Sequence, residues 1–150
     1  MRFDLPQNKT LTLEMVIPIR WGDMDALGHV NNTLYFRYLE IARIEWFRVL
    51  GCIPYGPDAG PIIINAFCTF LRQLEYPGDV LARQYVGEVG RSTVDTYTTL
   101  ERTDQPGLFY ATGGATIVWT DFKAQKALPL PDWVRERVAR PLPIAPSAPG

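Results

Sequence analysis

The chain has 150 residues, 47% of them hydrophobic, and a formal net charge of −1. That length suits one domain with a core large enough to stand without disulfide staples. The near-neutral balance leaves no basic footprint for nucleic acid or an anionic membrane surface.

The two cysteines, Cys52 and Cys68, form no CxxC pair and have no neighbouring histidine. This argues against a zinc site, or any metal site, and for reduced, partly buried thiols. The opening MRFDLPQNKT carries Asp4 and Pro6 where a signal peptide needs an apolar run. No stretch approaches the ~20 apolar residues of a membrane span. A soluble cytoplasmic protein without membrane insertion is the expectation.

From Thr10 to Arg20, Leu11, Leu13, Met15, Ile17 and Ile19 alternate with other residues, a period-2 strand with one buried face. Pro18 lacks an amide donor, so that end is expected at an edge or a bulge. From Asn32 to Leu50 the spacing turns helical, with no glycine or proline inside and Gly51 closing the run. This helix of about five turns is apolar over most of its circumference. Either a sheet wraps it or a partner subunit covers it. Four strand-like runs follow the 51–60 loop: PIIINAFCTFL, read as a buried strand; VLARQYVGEVG and TVDTYTTLER, joined at Gly90–Arg91–Ser92; and LFYATGGATIVWTD. Gly113–Gly114 in the last implies a bend or a close backbone approach. PDWVRERV reads as a short helix capped by Asp132, and residues 141–150 as a proline-rich, disordered tail beyond one domain spanning 1–140. Three of the strand connections are short, so antiparallel pairing is expected. The fold class is α+β, one long helix wrapped by a curved antiparallel five-stranded sheet.

The chemistry gathers at the mouth of the long helix, in GDMDALGHVNNTLYF. A carboxylate at Asp25, supported by Gly28, can approach a substrate closely and act as nucleophile or general base, or it can only cap the turn. The first amides of a helix lack intrahelical partners and sit at the positive end of its dipole. Asp23 reads as turn support, because aspartates in tight turns bond backbone amides. Asn31 or Asn32 can serve as the N-cap. His29 is the only histidine, and no Gly-x-Ser-x-Gly elbow accompanies it, so a serine triad has no basis. Tyr35, Tyr38, Glu40 and Arg43 read first as helix packing and spaced charge pairs.

The stretch GDMDALGHVNNTLYFRYLEIARIEWF resembles the signature of hot-dog thioesterases of the 4-hydroxybenzoyl-CoA thioesterase type. In that family an Asp-x-Asp turn and a glycine precede a helix running through Tyr and Glu to Ala-Arg. The likeness extends over about residues 10–135, with a Gly/Arg-Ser step between the third and fourth strands and an Asp and Leu-Pro close at Asp121 and ALPLP. The resemblance implies the hot-dog fold and hydrolysis of an acyl thioester to acid and thiol. It implies Asp25 as the catalytic carboxylate, the amide at Asn32 as oxyanion donor, and His29 in the site or orienting its turn. It places Gly28 and Val30 against the substrate, and Arg91, Ser92 and Thr93 where relatives hold the phosphates of coenzyme A with consecutive basic residues. Here only Arg91 is basic, which leaves an acyl carrier protein thioester as the alternative to acyl-CoA. No separate cofactor is implied, since coenzyme A is part of the substrate. The family pairs its subunits edge to edge with the active sites at the joint, so a homodimer or homotetramer is expected. Two contrasting functions are a module that binds acyl thioesters without hydrolysing them and a hydratase using His29 as base.

Overall fold

The computed structural model describes residues 4–53 and 56–142. Strand β1 (Thr10–Pro18) leads through a single 3-10 turn at Trp21–Asp23 into helix α1 (Asn32–Leu50). Strands β2 (Ala59–Phe70), β3 (Asp79–Val89), β4 (Thr93–Arg102) and β5 (Phe109–Asp121) follow. A two-residue strand β6 (Lys126–Ala127) and a short helix α2 (Asp132–Val138) complete the described chain. The sheet order is β1-β3-β4-β5-β2, every pair antiparallel, with β6 added alongside β5. This is the expected hot-dog arrangement of one long helix against an antiparallel sheet. The sixth strand is too short to leave a period in the sequence.

The register shows why the helix seats where it does. Ala82 pairs with Leu100, and Leu100 with Ala111, so these three share one face of β3, β4 and β5. All three are fully buried. Gly113 lies on the same face, where a Cβ would stand 2.7 Å from Leu39 Cδ1 of α1 and from the carbonyl oxygen of Phe67. The glycine pair therefore answers a close approach. α1 lays Tyr35, Tyr38, Leu39, Ala42, Trp46, Phe47 and Leu50 onto this face. Each large apolar side chain so buried contributes about 1.5–3 kcal/mol. The helix ends where Gly51 takes a φ of 88° and the Cys52 amide reaches back to the carbonyl of Phe47 at 2.9 Å.

The sheet covers only part of the apolar circumference of α1, and Phe36, Ile44 and Val49 are left for the other alternative, a partner subunit. Two expectations need correction. The strand read as buried, β2, is an edge, with Ile62, Ile64 and Phe70 exposed. An apolar run marks a strand that meets apolar surface, and by itself does not say whether that surface belongs to the same chain. Asp132 is not the cap of α2; Pro131 holds that position without a side-chain bond, and Asp132 sits in the first turn. There its carboxylate faces the positive end of a short helix.

β1, by contrast, is the edge its Pro18 predicts. Of the tail expected from 141, residues 143–150 lie outside the described residues, and the Leu142 amide donates to the carbonyl of Leu11 at 2.7 Å. No helix among the described residues is long and apolar enough to cross a membrane.

Candidate active site

The loop between β1 and α1 is a miniature hairpin. Met24 and Val30 form an antiparallel bridge, the Asp25 amide donates to the His29 carbonyl, and the Gly28 amide returns to the Asp25 carbonyl, the last two at 3.0 Å. Gly28 closes the reversal with a φ of 79°, a conformation that side chains disfavour. The hairpin is tied on two sides. The Val30 amide donates to the Leu74 carbonyl at 2.8 Å, and the Asn31 amide to the Asp23 carbonyl at 3.0 Å.

The two carboxylates separate by environment. Asp23 Oδ2 accepts from the Arg20 amide at 3.0 Å and from the Tyr38 hydroxyl at 2.8 Å, and its side chain lines a groove between β1 and α1. Burial, and then that bond to an anion, push the Tyr38 phenol well above its ordinary pKa, so it remains a donor. Asp25 lines a different cleft, of about 370 Å³, at the helix start. Its Oδ1 accepts from the Leu27 amide at 2.9 Å and its Oδ2 from Asn31 Nδ2 at 3.4 Å.

Asn31 is the N-cap, accepting from the Thr33 amide at 2.9 Å. Asn32 is thus the first helical residue. The amides of Val30, Asn31, Thr33 and Leu34 all have acceptors. Asn32 is an exposed residue, and among the described residues its amide has no acceptor. Asn32 and Asp25 line the same cleft at the positive end of α1.

The remaining wall comes from distant sequence. Tyr35, Phe70 and Arg72 line the cleft, with the Tyr35 ring edge-on to Phe70 at 5.1 Å between centroids. His29 also lines it, and its Nε2 lies 3.2 Å from Glu75 Oε1 in the segment that precedes β3. Nothing in the sequence singles out Phe70, Arg72 or Glu75, since only the fold carries them to the helix mouth. Arg91, Ser92 and Thr93 are not brought to this cleft. They form and follow the β3–β4 turn, where the Arg91 carbonyl accepts from the Leu130 amide at 2.8 Å and from the Arg135 guanidinium at 3.0 Å. β3 runs from the Asp25 end of the sheet to that turn, and its length puts them roughly 30 Å apart within one chain.

One long helix against an antiparallel sheet in the order β1-β3-β4-β5-β2 places the chain in the hot-dog class of folds. The chain belongs to the thioesterase-like superfamily, whose model matches residues 19–138. It is similar to the PA2801 protein of Pseudomonas aeruginosa, described as a candidate thioesterase, at 38% identity over 86% of this chain and 99% of that one, with a TM-score of 0.81. A candidate acyl-CoA thioesterase from Xanthomonas campestris shares 30% identity over 75% of this chain and 95% of its own, TM-score 0.69. A thioesterase from Thermus thermophilus, solved with coenzyme A and zinc, shares 26% identity over 86% of this chain and 93% of its own, TM-score 0.73.

Proposed function

We propose that this chain hydrolyses an acyl-CoA thioester to the free acid and coenzyme A. The observation that carries the reading is that Asp25 and Asn32 line one cleft and that the Asn32 amide has no acceptor among the described residues. The thioester carbonyl oxygen takes that amide, which strengthens its hold as negative charge develops on the oxygen. Asp25 attacks the carbonyl carbon itself or takes a proton from a water that does so. The carbon–sulfur bond breaks and the thiolate leaves, taking up a proton. Water ends in the acid, either directly or by opening the acyl-aspartyl anhydride. His29 and its Glu75 partner hold the mouth of the hairpin against the segment before β3. Gly28 and Val30 shape the approach to the carbonyl. An acyl carrier protein thioester carries the same reacting group and would meet the same pair of residues.

We further read the functional unit as a homodimer joined through β2. That edge runs Ala59–Phe70 without a charged residue, whereas the other edge, β1, carries Glu14 paired to Arg83. Long apolar edges invite pairing with another strand. Antiparallel pairing of two β2 strands about a two-fold axis would lay the partner's β3–β4 turn toward the end of the sheet that holds Asp25. The partner's Arg91, Ser92 and Thr93 could then reach a substrate's phosphates, which this chain's own cannot.

Two variants test the chemistry on a panel of acyl-CoAs with thiol release as the readout. Asp25→Asn should lower kcat by about 10²-fold or more with the fold intact. Asn32→Pro deletes the amide hydrogen at the one helical position that tolerates proline, after a residue already extended at φ −57°, ψ 135°. It should cost about 10²–10³ in kcat. Near-native turnover by Asp25→Asn would refute Asp25 as the catalytic group. Binding of acyl-CoA without thiol release by the native chain would favour a binding module instead.

A further inference from the structure

We propose that Asn31 is a positioning residue for Asp25, held in its working orientation by Thr33. The inference rests on the reading of Asp25 as the reacting carboxylate.

The Asn31 side chain has two jobs at once. Its Oδ1 caps α1, accepting from the Thr33 amide at 2.9 Å and the Thr33 hydroxyl at 2.6 Å. Its Nδ2 donates to Asp25 Oδ2 at 3.4 Å. The orientation of the amide follows from chemistry. A backbone N–H can only donate, so the Asn31 atom facing it must be the oxygen. With the oxygen so fixed, the Thr33 hydroxyl donates to it as well and adds to its hold. The NH₂ group is thereby aimed at Asp25, and a flipped amide would set donor against donor.

At the other end of the carboxylate, Oδ1 is fixed by the Leu27 amide at 2.9 Å. Together the two bonds favour one orientation of the carboxylate about its Cβ–Cγ bond. The bond to Asn31 is the longer one, so Oδ2 is the oxygen held more lightly. Hydrogen bonds in free sites are often long and tighten when substrate binds. Small errors in the angle of a reacting group cost rate steeply, while the affinity for substrate depends on the rest of the cleft. The signature of Asn31 is therefore a fall in kcat with KM preserved.

The test separates capping from positioning. Asn31→Ser keeps an N-cap oxygen for the Thr33 amide and removes the NH₂ donor. It should retain the melting temperature and KM while kcat falls about tenfold, of the order expected for a misaligned reacting group. Thr33→Val, which removes only the hydroxyl that orients the amide, should lower kcat in the same sense, and Thr33→Ser should restore it. A purely structural cap predicts the reverse: native kcat for both Asn31→Ser and Thr33→Val. If Asn31→Ser unfolds, the Thr33→Val and Thr33→Ser pair decides alone. Asp25→Asn is assayed in parallel. Native kcat in Asn31→Ser with an inactive Asp25→Asn overturns the positioning role and leaves Asp25 catalytic. An active Asp25→Asn overturns both.

Discussion

The hydroxyl of Tyr35 joins α1 to the segment ahead of β3 at two points. It donates to the carbonyl of Arg72 at 3.0 Å and accepts from the amide of Leu74 at 2.8 Å. Leu74 in turn accepts the Val30 amide, so one phenol braces both the cleft wall and the hairpin that presents Asp25. Tyr35→Phe keeps the ring against Phe70 and strands the amide of the fully buried Leu74. The expected loss is about 1–3 kcal/mol, or roughly 2–4 °C in Tm per kcal/mol for a chain of this size. Calorimetry checks the first effect. The kcat of the folded variant should also fall; an unchanged kcat would show that the brace is structural only.

Asp23 and Asp25 should respond differently to the same change. Asp23 accepts from Arg20 and Tyr38 and lines the groove on the β1 side of α1, away from the cleft. Asp23→Ala removes an anionic acceptor from the buried Tyr38, at a cost of about 1.5–3 kcal/mol for bonds to a charged group. Thermal melting should register that loss. Below the lowered melting temperature the variant should keep measurable thioester hydrolysis, in contrast to Asp25→Asn. Complete inactivity of a folded Asp23→Ala would place Asp23 in the chemistry.

What could be read along the chain was whatever neighbours in sequence decide. The bounds of α1 follow from the asparagines before it and Gly51 after it, and the structure returns Asn32–Leu50. The Asp25 hairpin is local too, closed by bonds spanning a few residues. Other features depend on which strands become neighbours. His29 finds Glu75, and Tyr35 finds Arg72 and Leu74, only because β1 pairs with β3 and the segment before β3 crosses the helix mouth. The aromatic positions of α1 look alike in a helical period, so nothing in the sequence marked Tyr35 as a clamp rather than filler. β2 shows the same limit, since its apolar run does not distinguish a central strand from an edge awaiting a partner.

Gly113 is a position where a single methyl should be felt. The carbonyl oxygen of Phe67 and Leu39 Cδ1 each stand 2.7 Å from where a Cβ would go. Gly113→Ala must displace the helix, the adjoining strand, or both, and overpacking of this kind costs about 1–3 kcal/mol. Trimming the helix side with Leu39→Val should rescue it only in part, because the Phe67 carbonyl is backbone. Full rescue in the double variant, measured by denaturant midpoint, would locate the whole conflict at Leu39.

The two thiols give a pH-dependent prediction. Burial pushes Cys52 up to about 11, partly offset by Arg137, and Cys68 up to about 12. Both raised values favour the neutral thiol in the folded chain. Their contribution to stability is therefore complete below the unfolded thiol pKa of about 8.5 and is lost as pH rises toward 11–12. At pH 8 a disulfide reagent should label both cysteines quickly in denaturant; in the native chain the buried Cys52 should react slowly and the partly exposed Cys68 ahead of it. Rapid native labelling of Cys52 at pH 8 would contradict its burial.

The β2 edge carries the last prediction. Ile64 is 59% exposed and sits at the bulge between Ile63 and Asn65, on a strand with no charge from Ala59 to Phe70. Lysine on an edge is a means by which proteins block strand pairing. If two copies join through this strand, Ile64→Lys should shift the mass measured by light scattering from a multiple of 17.0 kDa to that value itself. The fold should survive, because Ile64 is the bulged residue and pairs with nothing on β5. Activity should fall with the mass, since the partner's Arg91 turn would no longer stand at the Asp25 end of the sheet. KM for acyl-CoA should rise more than kcat falls if that turn grips phosphate, as uniform binding is then what is lost. A monomeric variant with native kcat and KM would show that one chain holds the whole site.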